Sequence, residues 1–220
     1  MKRTLLPAFI AAILLITVPV PVLAGGHSST GPYVGGTLGI AFLPSDDVKN
    51  PTIRAAGANV DFTSKVGPAF GVALGYDFGN TRLEGEIMYQ RNELDEARGG
   101  GLGNQKLSGH TKSYTFLLNG YYDFSNESPF TTFFTAGLGA ARISMKDRLE
   151  NIPGLVNPYL DDSDTVFAYQ AGMGVGYAIS KQWTFDVKYR FLGTLKPKFN
   201  DSTEFRYLSH HVGIGLRYSF

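Results

Sequence analysis

The chain has 220 residues with 20 Lys and Arg against 19 Asp and Glu, and the net charge of +1 gives no reason to expect a nucleic-acid partner. It contains no cysteine, which excludes disulfides, thiolate nucleophiles and cysteine-ligated metal centres. Aromatic residues make up 13% of the chain and glycines number 27, while charged residues make up only 18%, a composition typical of β-rich proteins.

The N-terminal segment has the pattern of a secretory signal peptide. Lys2 and Arg3 precede the apolar stretch Leu5–Val18, and Val22-Leu23-Ala24 places compact residues where signal peptidase cleaves. We predict a signal peptide over residues 1–24 and one mature domain over residues 25–220. An uncleaved anchor is the alternative, but the apolar run is short and prolines interrupt it. Beyond this segment no run of about 20 apolar residues occurs, which excludes a helical membrane bundle.

Eight segments after Gly31 alternate with the period of two that is typical of strands with two different faces. In chain order, the predicted strands are Tyr33–Phe42, Val66–Phe78, Thr81–Arg91, Lys112–Phe124, Thr131–Met145, Thr165–Ile179, Trp183–Leu192 and Glu204–Phe220.

Short and long connections alternate between these strands. The short ones contain Gly79-Asn80, Ser125–Pro129 and Ser180–Gln182, and they predict hairpin turns. The four long ones are rich in Gly, Pro, Asn and Asp, and they cover Leu43–Lys65, Asn92–Thr111, Lys146–Asp164 and Gly193–Thr203. An even number of strands, with short turns at one end and long loops at the other, is typical of bacterial outer-membrane barrels.

The two faces of the predicted strands differ in polarity. Every second position of the seventh predicted strand is aromatic or aliphatic: Trp183, Phe185, Val187, Tyr189 and Phe191. The positions between them are polar: Thr184, Asp186, Lys188 and Arg190. A membrane barrel turns the apolar face to lipid and the polar face inward, whereas a soluble lipocalin-type calyx of eight strands does the reverse.

Two observations favour the membrane barrel over the calyx. Aromatic residues cluster near the predicted strand ends, as the girdles at a bilayer interface require, and examples are Tyr76, Phe78, Tyr122, Phe124 and Trp183. The sequence also ends on a strand, at Tyr218-Ser219-Phe220, rather than on a polar tail. We therefore predict an all-β fold, an eight-stranded antiparallel up-and-down transmembrane β-barrel.

The whole mature chain resembles the opacity-type surface antigens, small outer-membrane β-barrels related in architecture to the transmembrane domain of outer membrane protein A. The resemblance rests on the signal peptide, the opening Gly31–Gly36, the eight amphipathic strands and the terminal segment Val212–Phe220. It implies insertion by the β-barrel assembly machinery, which recognises a last strand of alternating apolar residues ending in an aromatic one. The matching positions are His210, Val212, Ile214, Leu216, Tyr218 and Phe220.

Eight strands leave an interior just wide enough for side chains, which excludes a broad diffusion pore. Both signs of charge occur on the inward face, so we expect a paired polar network. Its predicted members are Glu84, Glu86, Asp186, Lys188, Arg190 and Arg217, with Asn119, Tyr121, Asp123 and Gln170 as further inward candidates. Glu84 and Glu86 are expected to meet Lys188 and Arg190 across the lumen as a plug. The alternative is a narrow porin-like channel.

Glycines at alternate positions, as in Gly172-Met173-Gly174-Val175-Gly176, predict room for bulky neighbours inside the barrel. A nucleotide-binding loop would need a following helix, and no helical period follows these glycines.

Two clusters could suggest chemistry. Ser209, His210 and His211, with Glu204 nearby, resemble the parts of a lipid A hydrolase, but neighbouring residues on a strand point to opposite faces, which separates His210 from Ser209 and His211. Asp161-Asp162-Ser163-Asp164 has the character of a calcium loop but lacks its glycine and distal glutamate. We expect no enzymatic activity, no cofactor and no metal.

The sequence thus predicts a protein of the bacterial outer membrane with a structural, antigenic or adhesin-like role, carried by four long extracellular loops. The expected partners are the lipid bilayer, lipopolysaccharide, the assembly machinery during insertion, and a host or surface ligand at the loops. A lipid A-modifying enzyme is the second alternative to this role, after the channel.

Overall fold

The computed structural model describes residues 30–44, 61–98, 104–124, 127–148, 159–195, 198–199, 203–204 and 207–220. Within these ranges, side chains are described except at residues 61–64, 94–98, 104–109, 145–148, 159–162, 198–199 and 203–204. The predicted signal peptide lies outside the described residues.

All regular structure in the described ranges is β-strand. The strands are β1 Gly31–Phe42, β2 Asp61–Ser64, β3 Gly67–Asp77, β4 Thr81–Arg98, β5 Asn104–Phe124, β6 Phe130–Arg148, β7 Tyr159–Ala178, β8 Trp183–Thr194, β9 Lys198–Phe199, β10 Thr203–Glu204 and β11 Leu208–Ser219. Among the described residues, no helix is long and apolar enough to cross a membrane.

Eight strands form one closed antiparallel ring. Each strand pairs with its neighbour in the order β1, β3, β4, β5, β6, β7, β8 and β11, and β11 pairs again with β1. The short strand β2 pairs with β4 beyond the end of β3, and β9 pairs only with β10. The predicted eight-stranded up-and-down barrel is therefore confirmed.

Tight turns join the strands at one end of the barrel, as predicted. At Gly79-Asn80 the turn is closed by a 2.8 Å hydrogen bond from the Phe78 amide to the Thr81 carbonyl. Gly79 has a φ of 103°, a conformation that favours glycine, and its amide donates to Asp77 at 2.8 Å. At the next described turn of this kind, the Ser180 hydroxyl accepts hydrogen bonds from the amides of Gln182 and Trp183.

The predicted strand ends at the opposite rim were wrong. Most of the predicted loop Asn92–Thr111 is strand, because β4 continues to Arg98 and β5 begins at Asn104. The predicted loop Lys146–Asp164 is likewise shortened by β6 and β7. Beyond the membrane a strand has no lipid-facing side, so the sequence need not alternate there, while the backbone pairing can continue.

The last strand also begins later than predicted. Thr203 and Glu204 pair with β9 rather than with the barrel, and β11 begins at Leu208. The interior of the ring holds most of the buried polar side chains, and its outer surface carries the exposed large apolar ones. The predicted direction of the faces is therefore confirmed, and a calyx with an apolar interior is excluded.

Candidate functional site

The lumen is built by strands that differ in side-chain size. Large polar residues point inward from β4, β5 and β8, because every second residue of a strand faces the same side. Glycines occupy inward positions on β3, β6 and β7. A Cβ atom at Gly75 would overlap the Tyr33 ring, one at Gly137 would overlap the Asn119 amide, and one at Gly174 would lie 2.5 Å from the Phe133 ring. The glycines thus make the room that the alternating pattern predicted.

One ion pair spans the lumen from wall to wall. Arg190 Nη1 lies 2.6 Å from both carboxylate oxygens of Glu86, and both side chains are almost completely buried. Three strands separate β4 from β8 in either direction around the ring, so these two residues come from opposite walls. Arg190 also donates to the Met88 sulfur at 3.0 Å. The contact closes the middle of the barrel.

Glu84 is held by neutral donors rather than by a cation. Tyr33 donates to one carboxylate oxygen at 2.9 Å and Tyr121 to the other at 2.7 Å. The Asn119 amide donates to Glu86 at 3.0 Å and, more weakly, to Glu84 at 3.5 Å. Hydrogen bonds of this kind offset much of the penalty of burying a carboxylate. Gln170 on β7 donates in turn to the Asn119 oxygen at 2.5 Å. With Arg190, one connected network therefore links five strands.

A second ion pair lies nearer the tight turns. Arg82 on β4 donates to both oxygens of Asp123 on β5, at 2.7 and 2.8 Å. Its guanidinium stacks over the rings of Tyr121 and Phe133, with centroid distances of 4.2 and 5.1 Å.

On the other side of the lumen the charges are held more loosely. Arg217 and Asp186, on β11 and β8, approach to 3.7 Å. The guanidinium atoms Nε and Nη1 of Arg217 have no hydrogen-bond partner among the described residues.

Lys188 and His211 are buried but form no ion pair with any residue that the structure describes. They line a small cavity together with Thr37 and Gly71, and it has room for about one water molecule. Both ring nitrogens of His211 lack a hydrogen-bond partner in the described part of the protein. The arrangement suits a bound water better than a transport path.

An apolar layer lies above the polar network, towards the long-loop rim. It is a cluster of inward side chains: Met88, Leu117, Ala141, Ile143, Ala168, Leu192 and Tyr207. Tyr207 lies just before β11 and is buried, so it covers the lumen from this side. The described lumen is thus filled by charged contacts at mid-height and, above them, by this apolar layer together with neutral polar contacts such as Gln90–Ser209.

The structure places all six residues of the predicted polar network in the lumen. Glu86 meets Arg190, and Asp186 approaches Arg217. Lys188 is not the partner of Glu86, although the predicted plug included it. The predicted inward residues did not include Tyr33, Arg82 or the apolar layer. The alternation could have found Arg82, which shares a face with Glu84 and Glu86.

The outer surface is a lipid-facing band between two groups of aromatic rings. Near the tight turns, Trp183 and Phe220 each contact Tyr218, at 4.9 and 5.2 Å between ring centroids. Near the other rim, His210 stacks on Phe42 at 5.5 Å and its Nδ1 lies 2.6 Å from the Tyr189 hydroxyl. Eight residue steps along a strand tilted by about 40° give a height of roughly 20 Å, close to the apolar band of such barrels.

The six residues predicted to be recognised during assembly share this outer face of β11. They are His210, Val212, Ile214, Leu216, Tyr218 and Phe220, and Phe220 follows the strand directly. Val212, Ile214 and Leu216 are exposed between the two aromatic groups, in the position of lipid-facing side chains.

The histidine cluster does not form a catalytic relay within the described residues. Ser209 and His211 point into the lumen and His210 points out, as strand alternation requires. The Ser209 hydroxyl exchanges hydrogen bonds with the Gln90 amide, at 3.1 and 3.3 Å. The side chain of Glu204 lies outside the described ones.

The predicted calcium-like segment, residues 161–164, is part of β7, and two of its side chains lie outside the described ones. Within the described ranges, no group of three or more His, Asp or Glu side chains could hold a metal ion.

Two solved structures share this architecture. Neisserial surface protein A has a TM-score of 0.57 and 20% identity, covering 87% of this chain and 98% of that one. OprG from Pseudomonas aeruginosa has a TM-score of 0.54 and 14% identity, covering 89% of this chain and 99% of that one. At such identities the likeness shows the shared fold.

Sequence relatives point the same way. The outer membrane protein PagN of Salmonella typhimurium is 32% identical over 138 residues, covering 57% of each chain. The putative adhesin RC1281 of Rickettsia conorii is 31% identical over 114 residues, covering 46% of each. The chain therefore spans about half the length of the curated relatives it matches.

A family model for the outer membrane protein β-barrel domain matches residues 10–220. The chain belongs to this family of outer membrane protein β-barrel domains, and it is a protein of the bacterial outer membrane.

Proposed function

We propose that this protein is a non-enzymatic surface protein whose extracellular hairpins contact other surfaces, in the manner of an adhesin or surface antigen. One observation carries the proposal. The strands β4 and β5 stay paired from Tyr89 and Tyr114, whose outward rings are in contact, up to Arg98 and Asn104. Nine residue steps correspond to about 30 Å along the strand. This length of hairpin stands beyond the lipid-facing band, where only the exterior of the cell can meet it.

The filled lumen supports this role over the two alternatives. A channel would need a path past the Glu86–Arg190 contact and past the apolar layer above it. A Ser–His hydrolase would need Ser209 bonded to a histidine, whereas its hydroxyl is bonded to Gln90. The name "putative adhesin" of the rickettsial relative agrees with a role in contact, although it describes only that protein.

The proposal includes the route to the membrane. The signal peptide, residues 1–24, would be removed during export. The β-barrel assembly machinery would then recognise the outer face of β11, which ends on the exposed Phe220. In the finished outer membrane, bilayer lipid and lipopolysaccharide would surround the apolar band.

The test shortens the hairpins without touching the barrel. Leu94 pairs with Gly109, so residues 95–108 can be replaced by an Asn-Gly turn. Ser144 pairs with Ser163, so residues 145–162 can be replaced in the same way. Cells that express wild-type or shortened protein are then compared for attachment to epithelial monolayers and to immobilised matrix proteins. Equal amounts of heat-modifiable barrel in the outer membrane serve as the folding control.

We expect the shortened proteins to lose most of the attachment that the wild type adds to a non-adherent strain. A matched control keeps the β6–β7 hairpin at full length but replaces residues 149–158, between the two strands, by Gly and Ser. This control separates the loss of the tip sequence from the loss of hairpin length. Wild-type attachment by the doubly shortened protein would contradict the proposal. Release of fatty acid from lipid A by the purified barrel would favour the hydrolase instead.

A further inference from the structure

The small cavity in the lumen is lined by two buried side chains whose polar ends have no partner in the described part of the protein. Lys188 on β8 is 9% exposed and His211 on β11 is 4% exposed. Lys188 forms no ion pair with a described residue, and neither ring nitrogen of His211 has a described hydrogen-bond partner. Buried polar groups are costly unless they are bonded, so these two point to a ligand inside the cavity.

The strand pairing brings these two side chains to the same space. Lys188 pairs with Gly213, and His211 lies two residues from Gly213 on β11. Such diagonal neighbours are about 7–8 Å apart, and both side chains face inward. Because both line a space of about one water molecule, a single small ligand there contacts both. The wall beside them is made of small residues, which leave this space open: Gly39, Ala69, Gly71 and Gly213.

The lining of the cavity is cationic. Among its ten residues, Lys188 and Arg190 are charged, His211 and Thr37 add further polar groups, and none is acidic. The other six are glycine, alanine, valine or methionine. Donors with apolar contacts between them suit a monovalent anion, whereas a cation would find no carboxylate in this lining.

The buried acids of the described lumen have partners of their own. Glu86 is close to the cavity wall, since its Oε1 would be 3.0 Å from a Cβ atom on Gly71, but both of its carboxylate oxygens lie 2.6 Å from Arg190 Nη1. The other buried acids are also engaged: Glu84 accepts from Tyr33 and Tyr121, Asp123 from Arg82 and Asp77 from the Gly79 amide, and Asp186 approaches Arg217. The Lys188 ammonium is therefore left without a counter-charge in direct contact among the described residues.

We propose that this cavity binds one halide ion, chloride under physiological conditions, between the Lys188 ammonium and the His211 ring. A water molecule would satisfy the hydrogen bonds but would leave the buried charge unpaired, which is the more costly defect. Chloride is only slightly larger than water and carries the missing charge. Sulfate, phosphate and carboxylates are too large for a space of one water molecule. The bound ion would fix the Lys188 side chain and complete the filling of the lumen at this height.

The experiment measures the urea midpoint of the full-length mature protein, folded into lipid in sodium chloride or in sodium gluconate of equal ionic strength. Gluconate is too large for the cavity and serves as the reference anion. A ligand that binds only the folded state raises stability with the logarithm of its concentration. Each tenfold rise in chloride above its dissociation constant should therefore raise the wild-type midpoint by about 0.7 M urea relative to gluconate.

Three variants make the test specific. K188M removes the ammonium and keeps an unbranched side chain, so its midpoint should respond equally to chloride and gluconate, and in gluconate it should be at least as stable as the wild type. H211L removes a donor to the anion and should weaken the apparent chloride affinity about tenfold or more. K181Q is the matched control, because Lys181 is exposed in a tight turn, and it should keep the full response to chloride.

Crystals grown in bromide give a readout that does not depend on stability. We expect an anomalous peak between Lys188 and His211 in the wild type and none in K188M. Three results would each overturn the proposal. The first is an equal response to chloride in the wild type and K188M, and the second is a Lys188-dependent response to sulfate as large as that to chloride. The third is an ordered water in the cavity with no anomalous peak, which would assign the space to water. The shortened hairpins leave this cavity unchanged, so this test and the attachment test can fail independently.

Discussion

Replacing Glu86 with glutamine removes one charge from the lumen and leaves Arg190, which is 3% exposed, without its carboxylate. Glutamine keeps the size of the side chain, and its oxygen can still accept the hydrogen bond from the Asn119 amide, which is 3.0 Å long in the wild type. The substitution therefore isolates the charge. Breaking a buried ion pair by removing one partner costs about 3–5 kcal/mol, and we expect E86Q to destabilise the barrel by this amount.

Urea unfolding of the barrel in lipid or detergent, followed by the fluorescence of Trp183, the single tryptophan, measures this loss. With a urea dependence of about 2 kcal/mol per M, a loss of 3–5 kcal/mol lowers the midpoint by about 1.5–2.5 M. The double variant E86Q/R190M removes both charges and keeps an unbranched side chain beside Met88. Because neutral replacement of a buried pair is often nearly free of cost, we expect it to recover at least half of the loss in E86Q.

The matched control is E93Q, which removes an exposed carboxylate from the same strand and should change stability by less than about 0.5 kcal/mol. If E86Q behaves like E93Q, the pair between Glu86 and Arg190 is not desolvated. The single variant R190M is measured as well, and if the double variant loses the sum of the losses in E86Q and R190M, the two residues are not coupled. Either result would refute the assignment of this contact as the closure of the lumen.

The remaining predictions concern packing, assembly, processing and conduction. G75A places a methyl group against the Tyr33 ring and should lower the free energy of unfolding by about 1–3 kcal/mol in the same urea assay. G36A is the control and should be neutral, because no atom lies within 4 Å of its new Cβ. Equal urea midpoints for the two variants would contradict the packing of small against large residues. Deleting Phe220, or changing it to Asp, should lower the yield of heat-modifiable barrel several-fold more than an Asp placed in a hairpin tip, and equal yields would rule out a role in sorting. N-terminal sequencing of the outer-membrane fraction should begin at Gly25; a start at Met1 would exclude cleavage. In planar bilayers the wild-type barrel should pass little or no current, and large steady currents would instead support a channel.

The fold could be predicted from the sequence because lipid imposes a pattern that repeats. A strand between lipid and a polar lumen must alternate, as Phe185, Val187 and Tyr189 do around Asp186 and Lys188. Above the membrane this requirement disappears, which is why the predicted ends of the strands were several residues short at the hairpins. The tight turns were predicted better, because Gly79-Asn80 has its own local chemistry.

The partners inside the lumen could not be predicted in the same way. Alternation shows that Lys188 and Arg190 both face inward, but they differ by about 7 Å in position along the strand. Which of them reaches Glu86 depends on the relative height of two strands on opposite walls, and that height is set by the pairing of the three strands between them on either side. The apolar layer was missed for a simpler reason. Leu117 and Leu192 occupy inward positions of the alternation, but we did not expect apolar residues on the polar face of a strand.

The distribution of contacts indicates that the hairpins can change without disturbing the barrel below them. Among the described side chains, hydrogen bonds between non-adjacent strands lie below the hairpins. The Asn92 amide on β4, for example, donates to the carbonyls of Ala41 on β1 and of Lys65 at 2.9 Å. Above this level the backbone pairing of β4 with β5 and of β6 with β7 continues, and any sequence without proline can supply such pairing. Substitutions in the hairpins therefore leave the contacts of Glu86 and Arg190 intact. The sequence of the hairpins can then change while the barrel that anchors them keeps its contacts.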